Sequence, residues 1–116
     1  MTWLWLSAAA MAATAFFHSR LGERRMVRPL LALNAGVTTD PRIRRIIRFA
    51  WHATSVLMLL SAVTVAWPGT PRAVVAIIGG GWLATGLVNA AYLSGRHIMW
   101  LFLSTAGALA LIGVFA

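Results

Sequence analysis

The segment AVVAIIGGGWLATGLVNAAYL, residues 73–93, decides the fold of this 116-residue chain. It contains no charged residue, and its length matches the roughly 20 helical residues that cross a hydrocarbon core of about 30 Å. Backbone N–H and C=O groups in hydrocarbon must pair within their own segment, so a single span of this kind is an α-helix. Runs such as Val56–Leu60 also lack the polar and apolar alternation of a membrane β-barrel. We therefore expect transmembrane helices.

Three further apolar stretches fill most of the remaining chain, at residues 2–18, 46–67 and 97–115. The stretches at 46–67 and 73–93 are long enough to span, whereas the outer two lie near the lower limit of about 17 residues. Ala13–Ala15 resembles a signal-peptidase cleavage sequence, but no basic residue precedes the apolar run, so we expect a retained helix. The sequence predicts one all-α integral membrane domain, an antiparallel bundle of four transmembrane helices.

Composition excludes several classes of protein. The chain is 60% hydrophobic and 10% charged, whereas globular chains are about a quarter charged, so a soluble domain and a disordered tail are both excluded. The absence of cysteine excludes disulfides, zinc fingers and a cysteine nucleophile. Gly79–Gly81 falls inside a predicted membrane helix and not on the strand-to-helix turn of a dinucleotide site. These features favour a protein that is not an enzyme.

The arginines orient the predicted helices. Of the ten, eight lie at positions 20–48 between or beside the first two spans, and Arg96 lies between the third and fourth, which leaves only Arg72 on the other side. By the positive-inside rule, residues 19–44 form a cytoplasmic loop and both termini lie outside, in a bacterial inner membrane. No nucleic-acid recognition motif accompanies this charge, so we expect no nucleic-acid partner. We expect four arginines to contact anionic lipid headgroups: Arg42, Arg44, Arg45 and Arg48.

Short motifs add detail inside and between the spans. Residues 29–36 are apolar, too short to span, begin with proline and end with glycine, which predicts a short helix in the headgroup plane. Thr39 or Asp40 is expected to cap the second long helix. The turn at 67–72 predicts a tight antiparallel hairpin between the second and third helices. Small residues spaced about four apart predict close packing of the third and fourth helices. They are Gly81, Thr85 and Asn89, Gly80 with Ala84, and Gly86 with Ala90 in the third helix, and Ala106, Gly107, Ala110 and Gly113 in the fourth.

Polar residues gather at the predicted cytoplasmic ends of the helices. Imidazole is the commonest metal ligand and a frequent haem ligand, so we predict a cofactor layer of His18, His52 and His97 with Asn89. A metal ion such as zinc, copper, iron or manganese would be held by the same three histidines and Glu23. The alternative is interfacial histidines bonded to lipid phosphate or backbone, because the His-x-x-x-His and Glu-x-x-His spacings of helical metal sites are absent.

Three functional classes stay open at this point. The first is a membrane protein that binds a metal ion or haem through the histidine layer. The second is an accessory structural subunit of a larger membrane complex. The third is a small channel or carrier, built as a homo-oligomer because one chain of this length makes too thin a bundle for a wide pore. Its polar lining would consist of Ser55, Thr85, Asn89, Ser104 and Thr105.

Overall fold

A computed structural model describes residues 2–116 of the chain, and all the regular structure in that range is helical. There are four long helices, which confirms the predicted all-α class. The elements in chain order are α1 (Thr2–Gly22), a π-helical turn (Glu23–Val27), α2 (Arg28–Ala32), a 3-10 turn (Gly36–Thr39), α3 (Pro41–Ala66), α4 (Arg72–Tyr92) and α5 (Met99–Phe115).

The short helix expected at residues 29–36 is not a separate element. Backbone conformation stays helical from α1 through the π-helical turn into α2, which ends at Ala32. Val27 and Leu31 are almost fully buried, so continuing the helix keeps their side chains packed beneath the start of α3. Arg44 also donates hydrogen bonds to the carbonyl oxygens of Leu31 (2.7 Å) and Thr38 (3.0 Å). The predicted loop 19–44 is therefore mostly helical and tied to α3.

The predicted start of the second long helix is confirmed. Asp40 is the N-cap, and its carboxylate accepts a hydrogen bond of 2.8 Å from the backbone N–H of Arg42. Pro41 occupies the first turn, where a missing N–H costs nothing. At the other end of the molecule Pro71 is the N-cap of α4, as the proline-rich turn predicts.

The spatial order of the helices differs from the predicted hairpin. α3 packs against α1, α1 against α5, and α5 against α4, while α3 and α4 touch only sparsely although they follow each other in the chain. Neighbouring helices run antiparallel. Glu23 pairs with Arg48 and His18 with Ser55, and Ser7 pairs with Ala106 while Leu4 lies beside Gly113. Ser7 donates a hydrogen bond of 2.7 Å to the carbonyl oxygen of Ala106, in the buried α1–α5 contact. α1 is therefore the central helix of the fold.

Close packing of α4 on α5 uses part of the predicted small-residue pattern, namely Gly86, Gly107 and Ala110, together with Gly79, which the pattern did not include. A Cβ atom on Gly79 would lie 2.9 Å from the Cβ of Ala110, and one on Gly107 would lie 2.5 Å from the carbonyl oxygen of Gly79. Gly80 and Gly81 face open space, so the repeat that begins at Gly81 does not form this contact. The small-residue seam (Gly79, Gly86, Gly107 and Ala110) is the tightest helix contact that α4 makes.

Two helices, α3 and α4, are long and apolar enough to cross a membrane, and α5 is apolar but shorter. In the most apolar window of each long helix, 17% of α3 and 22% of α4 is buried inside the protein. The large apolar side chains of these helices are mostly exposed, including Leu57, Ile77 and Val88.

Candidate functional site

A chain of hydrogen bonds joins α1 to α3 near the arginine-rich end. His18 Nδ1 lies 2.7 Å from Ser55 Oγ, Ser55 Oγ lies 2.7 Å from Ser19 Oγ, and Ser19 Oγ lies 2.9 Å from His52 Nδ1. Ser55 is buried, and the other three side chains are half-buried. The antiparallel pairing of α1 and α3 brings these four groups to one level, because residues 18 and 19 face residues 52 and 55. We call these four residues the polar relay.

Glu23 continues the polar relay toward the arginines. One carboxylate oxygen lies 3.2 Å from His52 Nε2 and accepts a 2.7 Å hydrogen bond from Arg48 Nε. The Arg48 hydrogen bond lowers the pKa of Glu23, and the hydrogen bond with His52 acts in the same direction. Glu23 is therefore an anion at neutral pH, and it holds the orientation of both His52 and Arg48. Its position in the π-helical turn allows its side chain to reach both partners on α3.

Trp51 fixes the position of His18. The two rings stack with centroids 4.3 Å apart and planes 6° from parallel, and the indole N–H donates a 2.8 Å hydrogen bond to the His18 carbonyl oxygen. Gly22 makes this possible, because any Cβ there would overlap the indole ring. Trp51, which the sequence analysis did not assign to the site, is a structural support of the polar relay.

A cleft of about 730 Å³ opens beside the polar relay, between α1 and α3. Its volume falls within the range of about 300–1,000 Å³ that small-molecule sites occupy. Three exposed arginines lie at one end, and apolar side chains lie at the other. We call this the α1–α3 cleft, and its lining comprises Arg20, Arg24, Arg28, Glu23, His52, Ser19, Ser55, Ala15, Phe16, Val56 and Leu59.

Three of the four arginines predicted to bind lipid line a different cleft from the polar relay. Arg44, Arg45 and Arg48 line a second, open cleft between α2 and α3, of about 880 Å³. Two of them already have protein partners: Arg44 holds carbonyl oxygens and Arg48 holds Glu23. Arg42 is exposed and does not line this cleft. The arginines of the α1–α3 cleft are different in this respect, because Arg20, Arg24 and Arg28 make no side-chain hydrogen bond or ion pair within residues 2–116.

The predicted histidine layer is only partly assembled. His18, His52 and Glu23 belong to one connected cluster, but His97 is exposed and lies 3.4 Å from the side-chain amide of Asn89. Among residues 2–116, no group of three or more histidine, cysteine or acidic side chains is placed to hold a metal ion. The ring nitrogens engage serine, glutamate and asparagine instead, so the predicted metal site finds no support in the structure. Haem binding stays a prediction.

The residues predicted to line a channel are spread over several places. Ser55 belongs to the polar relay, Thr85 lies in a shallow groove between α3 and α4, and Ser104 packs against Gly86. Asn89 pairs with His97, and Thr105 is exposed.

Sequence reasoning missed Ser19 and the three arginines of the α1–α3 cleft. A signal for the arginines was present, because positions 20, 24 and 28 repeat every four residues and so share one helix face. The signal for Ser19 was weaker: it lies four residues before Glu23, which places the two residues on the same face of a helix. Neither pattern identifies α3 as the helix opposite, which is what completes the site.

No protein-family model, curated protein or solved structure that was compared matches this chain. The chemistry of its own residues is therefore the basis for assigning a function.

Proposed function

We propose that this protein is a small multi-pass membrane protein that binds an anionic phospholipid in the α1–α3 cleft. The observation that carries the proposal is the amphipathic lining of that cleft. Arg20, Arg24 and Arg28 provide a cationic end whose side chains have no hydrogen-bond or ion-pair partner among residues 2–116, and Phe16 and Leu59 belong to an apolar end. Arginine binds phosphate in a bidentate manner, so the arrangement matches a phosphate headgroup followed by acyl chains.

The surface of the long helices supports a membrane location. Core helices of soluble proteins are mostly buried, whereas only about a fifth of the apolar windows of α3 and α4 is buried here, 17% and 22%. Monomeric soluble proteins rarely expose apolar patches larger than a few hundred Å². Exposed side chains such as Leu57 and Ile77 would be stable against lipid and costly against water.

Binding can be measured on the purified protein in an uncharged detergent. We expect phosphatidylglycerol to raise the melting temperature, while phosphatidylcholine has little effect and inorganic phosphate has an effect only at far higher concentration. Arg24→Gln removes a charge-assisted hydrogen bond, so the affinity for phosphatidylglycerol should fall about tenfold. The matched control is Arg96→Gln, which removes an exposed arginine outside the cleft.

Two outcomes would contradict the lipid proposal. One is equal stabilisation by phosphatidylglycerol and phosphatidylcholine, which would mean that the headgroup charge is not recognised. The other is an equal loss of affinity in Arg24→Gln and Arg96→Gln, which would indicate general attraction by the basic surface. Stabilisation by inorganic phosphate at the same concentration as the lipid would identify a free-anion site.

We further propose the finer topology, with four spans in a bacterial inner membrane, both termini outside and the polar relay near the cytoplasmic face. The support is the concentration of arginines around residues 20–48. Because the chain has no native cysteine, single-cysteine variants report one position each. Pro68→Cys should react with a membrane-impermeant maleimide on intact spheroplasts, and Leu33→Cys should react only after permeabilisation. The reverse pattern would overturn the orientation.

A further inference from the structure

Three residues of the α1–α3 cleft have the connectivity of a serine nucleophile, its base and an orienting carboxylate. Ser19 Oγ lies 2.9 Å from His52 Nδ1, and the other ring nitrogen of His52 lies 3.2 Å from Glu23 Oε1. Arg48 holds the carboxylate at 2.7 Å. Serine is activated in this way when a neighbouring imidazole takes its proton and a third group orients the imidazole. All three residues line the same open cleft.

The direction of the hydrogen bonds is set by Glu23. Its ionised carboxylate accepts a hydrogen bond, so His52 carries its proton on Nε2 and leaves Nδ1 as an acceptor. The Ser19 hydroxyl donates to Ser55 Oγ at 2.7 Å, and rotation of that hydroxyl turns its proton toward His52 Nδ1 at 2.9 Å. Ser55 Oγ also lies 2.7 Å from His18 Nδ1, which links this serine to the second histidine of the polar relay.

We propose that Ser19 is the nucleophile of an ester-cleaving site, with His52 as the general base and Glu23 as the positioning residue. Ser19 Oγ forms a bond to the carbonyl carbon of the ester, and its proton moves to His52 Nδ1. The bond from that carbon to the alcohol oxygen then breaks, and the alcohol leaves with the proton from His52. Water repeats the sequence on the acyl-serine ester, which releases a carboxylic acid and restores the Ser19 hydroxyl.

The depth of Ser19 in the cleft indicates the class of ester. Along the continuous helical segment from α2 back through the π-helical turn into α1, the lining runs from Arg28 and Arg24 through Ser19 to the apolar Phe16 and Ala15. In an anionic glycerophospholipid, the phosphate, the ester groups and the acyl chains follow in the same order. With the phosphate at the arginines, the ester groups would lie at the level of Ser19. This choice of substrate depends on the proposed lipid binding, whereas the reactivity of Ser19 does not.

A fluorophosphonate probe tests the nucleophile directly, because it forms a covalent bond only with an activated serine. We expect the purified wild-type protein to be phosphonylated at Ser19, as located by peptide mass spectrometry. Ser19→Ala should lose this label, and His52→Gln should slow it about 100-fold, the size of a general-base contribution. Ser61→Ala is the matched control, since Ser61 lies outside the cleft and bonds the carbonyl oxygen of Leu57.

The positioning role of Glu23 needs a readout other than stability. Glu23→Gln should slow labelling and change its dependence on pH, because the charged groups around His52 are Glu23, His18 and Arg48. A purely structural role would lower the melting temperature and leave that pH dependence unchanged. Melting curves of each variant identify any protein that has not folded. For such a variant, Ser19→Gly, which also lacks the hydroxyl, and His52→Asn would replace the first substitution.

Failure of this proposal can be told apart from failure of lipid binding. If wild-type Ser19 reacts no faster than Ser61, the nucleophile is excluded even if phosphatidylglycerol still stabilises the protein. If Ser19 reacts but phosphatidylglycerol gives no stabilisation, the nucleophile stands and the lipid assignment fails. Release of free fatty acid from phosphatidylglycerol by the wild type, and its loss in Ser19→Ala, would establish both.

Discussion

Gly107→Ala is expected to lower the stability of the protein by about 1–3 kcal/mol, the usual cost of inserting a methyl group into a well-packed contact. The new Cβ would overlap the backbone nitrogen of Leu83 and lie 2.5 Å from the carbonyl oxygen of Gly79. Both are backbone atoms, so no side-chain rotation relieves the clash. α4 and α5 must move apart, and the contact between Gly79 and Ala110 opens with them. The measurement is the melting temperature in detergent.

Gly81→Ala is the matched control for this substitution. Gly81 lies on α4 as well, but nothing comes within 4 Å of an added Cβ there. Alanine is favoured over glycine in a helix by up to about 1 kcal/mol, so this variant should melt at or above the wild-type temperature. If Gly107→Ala and Gly81→Ala had the same melting temperature, the close contact between α4 and α5 at Gly107 would be contradicted.

Gly22→Ala is expected to open the contact between α1 and α3. Its Cβ would overlap the Trp51 indole, which is held by stacking on His18 and by the hydrogen bond to the His18 carbonyl oxygen. Losing the hydrogen bond costs about 0.5–1.5 kcal/mol, and losing the aromatic contact costs a similar amount. The melting temperature should fall, and near-ultraviolet circular dichroism should record the displaced indole.

Trp51→Phe separates the two contributions to this effect. Phenylalanine keeps an aromatic ring near His18 but lacks the N–H donor, so it should lose about the hydrogen-bond part alone. Gly80→Ala controls for the change of backbone propensity, because Gly80 faces open space. If Gly22→Ala and Gly80→Ala had the same melting temperature, the close approach of Trp51 to α1 would be contradicted.

Local features of the helices could be predicted from short patterns. Asp40 caps α3 because its carboxylate reaches an N–H two residues ahead, and that contact needs no distant part of the chain. The same applies to the start of α4 after Pro71. The extent of α1 and α2 was less predictable. The sequence predicts that the first helix ends at about residue 18, whereas burial of Val27 and Leu31 stabilises helical conformation as far as Ala32.

The candidate site was half predictable. His18, His52 and Glu23 stand out in an apolar chain, since polar groups packed among apolar helices need hydrogen-bond partners. Their partners could not be deduced, because a serine donates equally well to its own helix or to a neighbour. Ser61 bonds a carbonyl on its own helix, while Ser19 and Ser55 bond across α1 and α3. Whether a serine bonds its own helix or a neighbouring one depends on which residues α1 and α3 turn toward each other, and only the tertiary structure shows this.

The sequence by itself determined that this chain is helical and apolar, with its charge at one end, because hydropathy and arginine position are properties of single segments. The tertiary structure decided which helices are neighbours. Helices pack closely where small residues on one helix fit the surface of another, and that fit depends on the whole helix surface and not on chain order. As a result α1 lies between α3 and α5, whereas α3 and α4, which are consecutive in the chain, barely touch. That arrangement placed Ser19 against His52 and turned the arginines at 20, 24 and 28 toward one cleft.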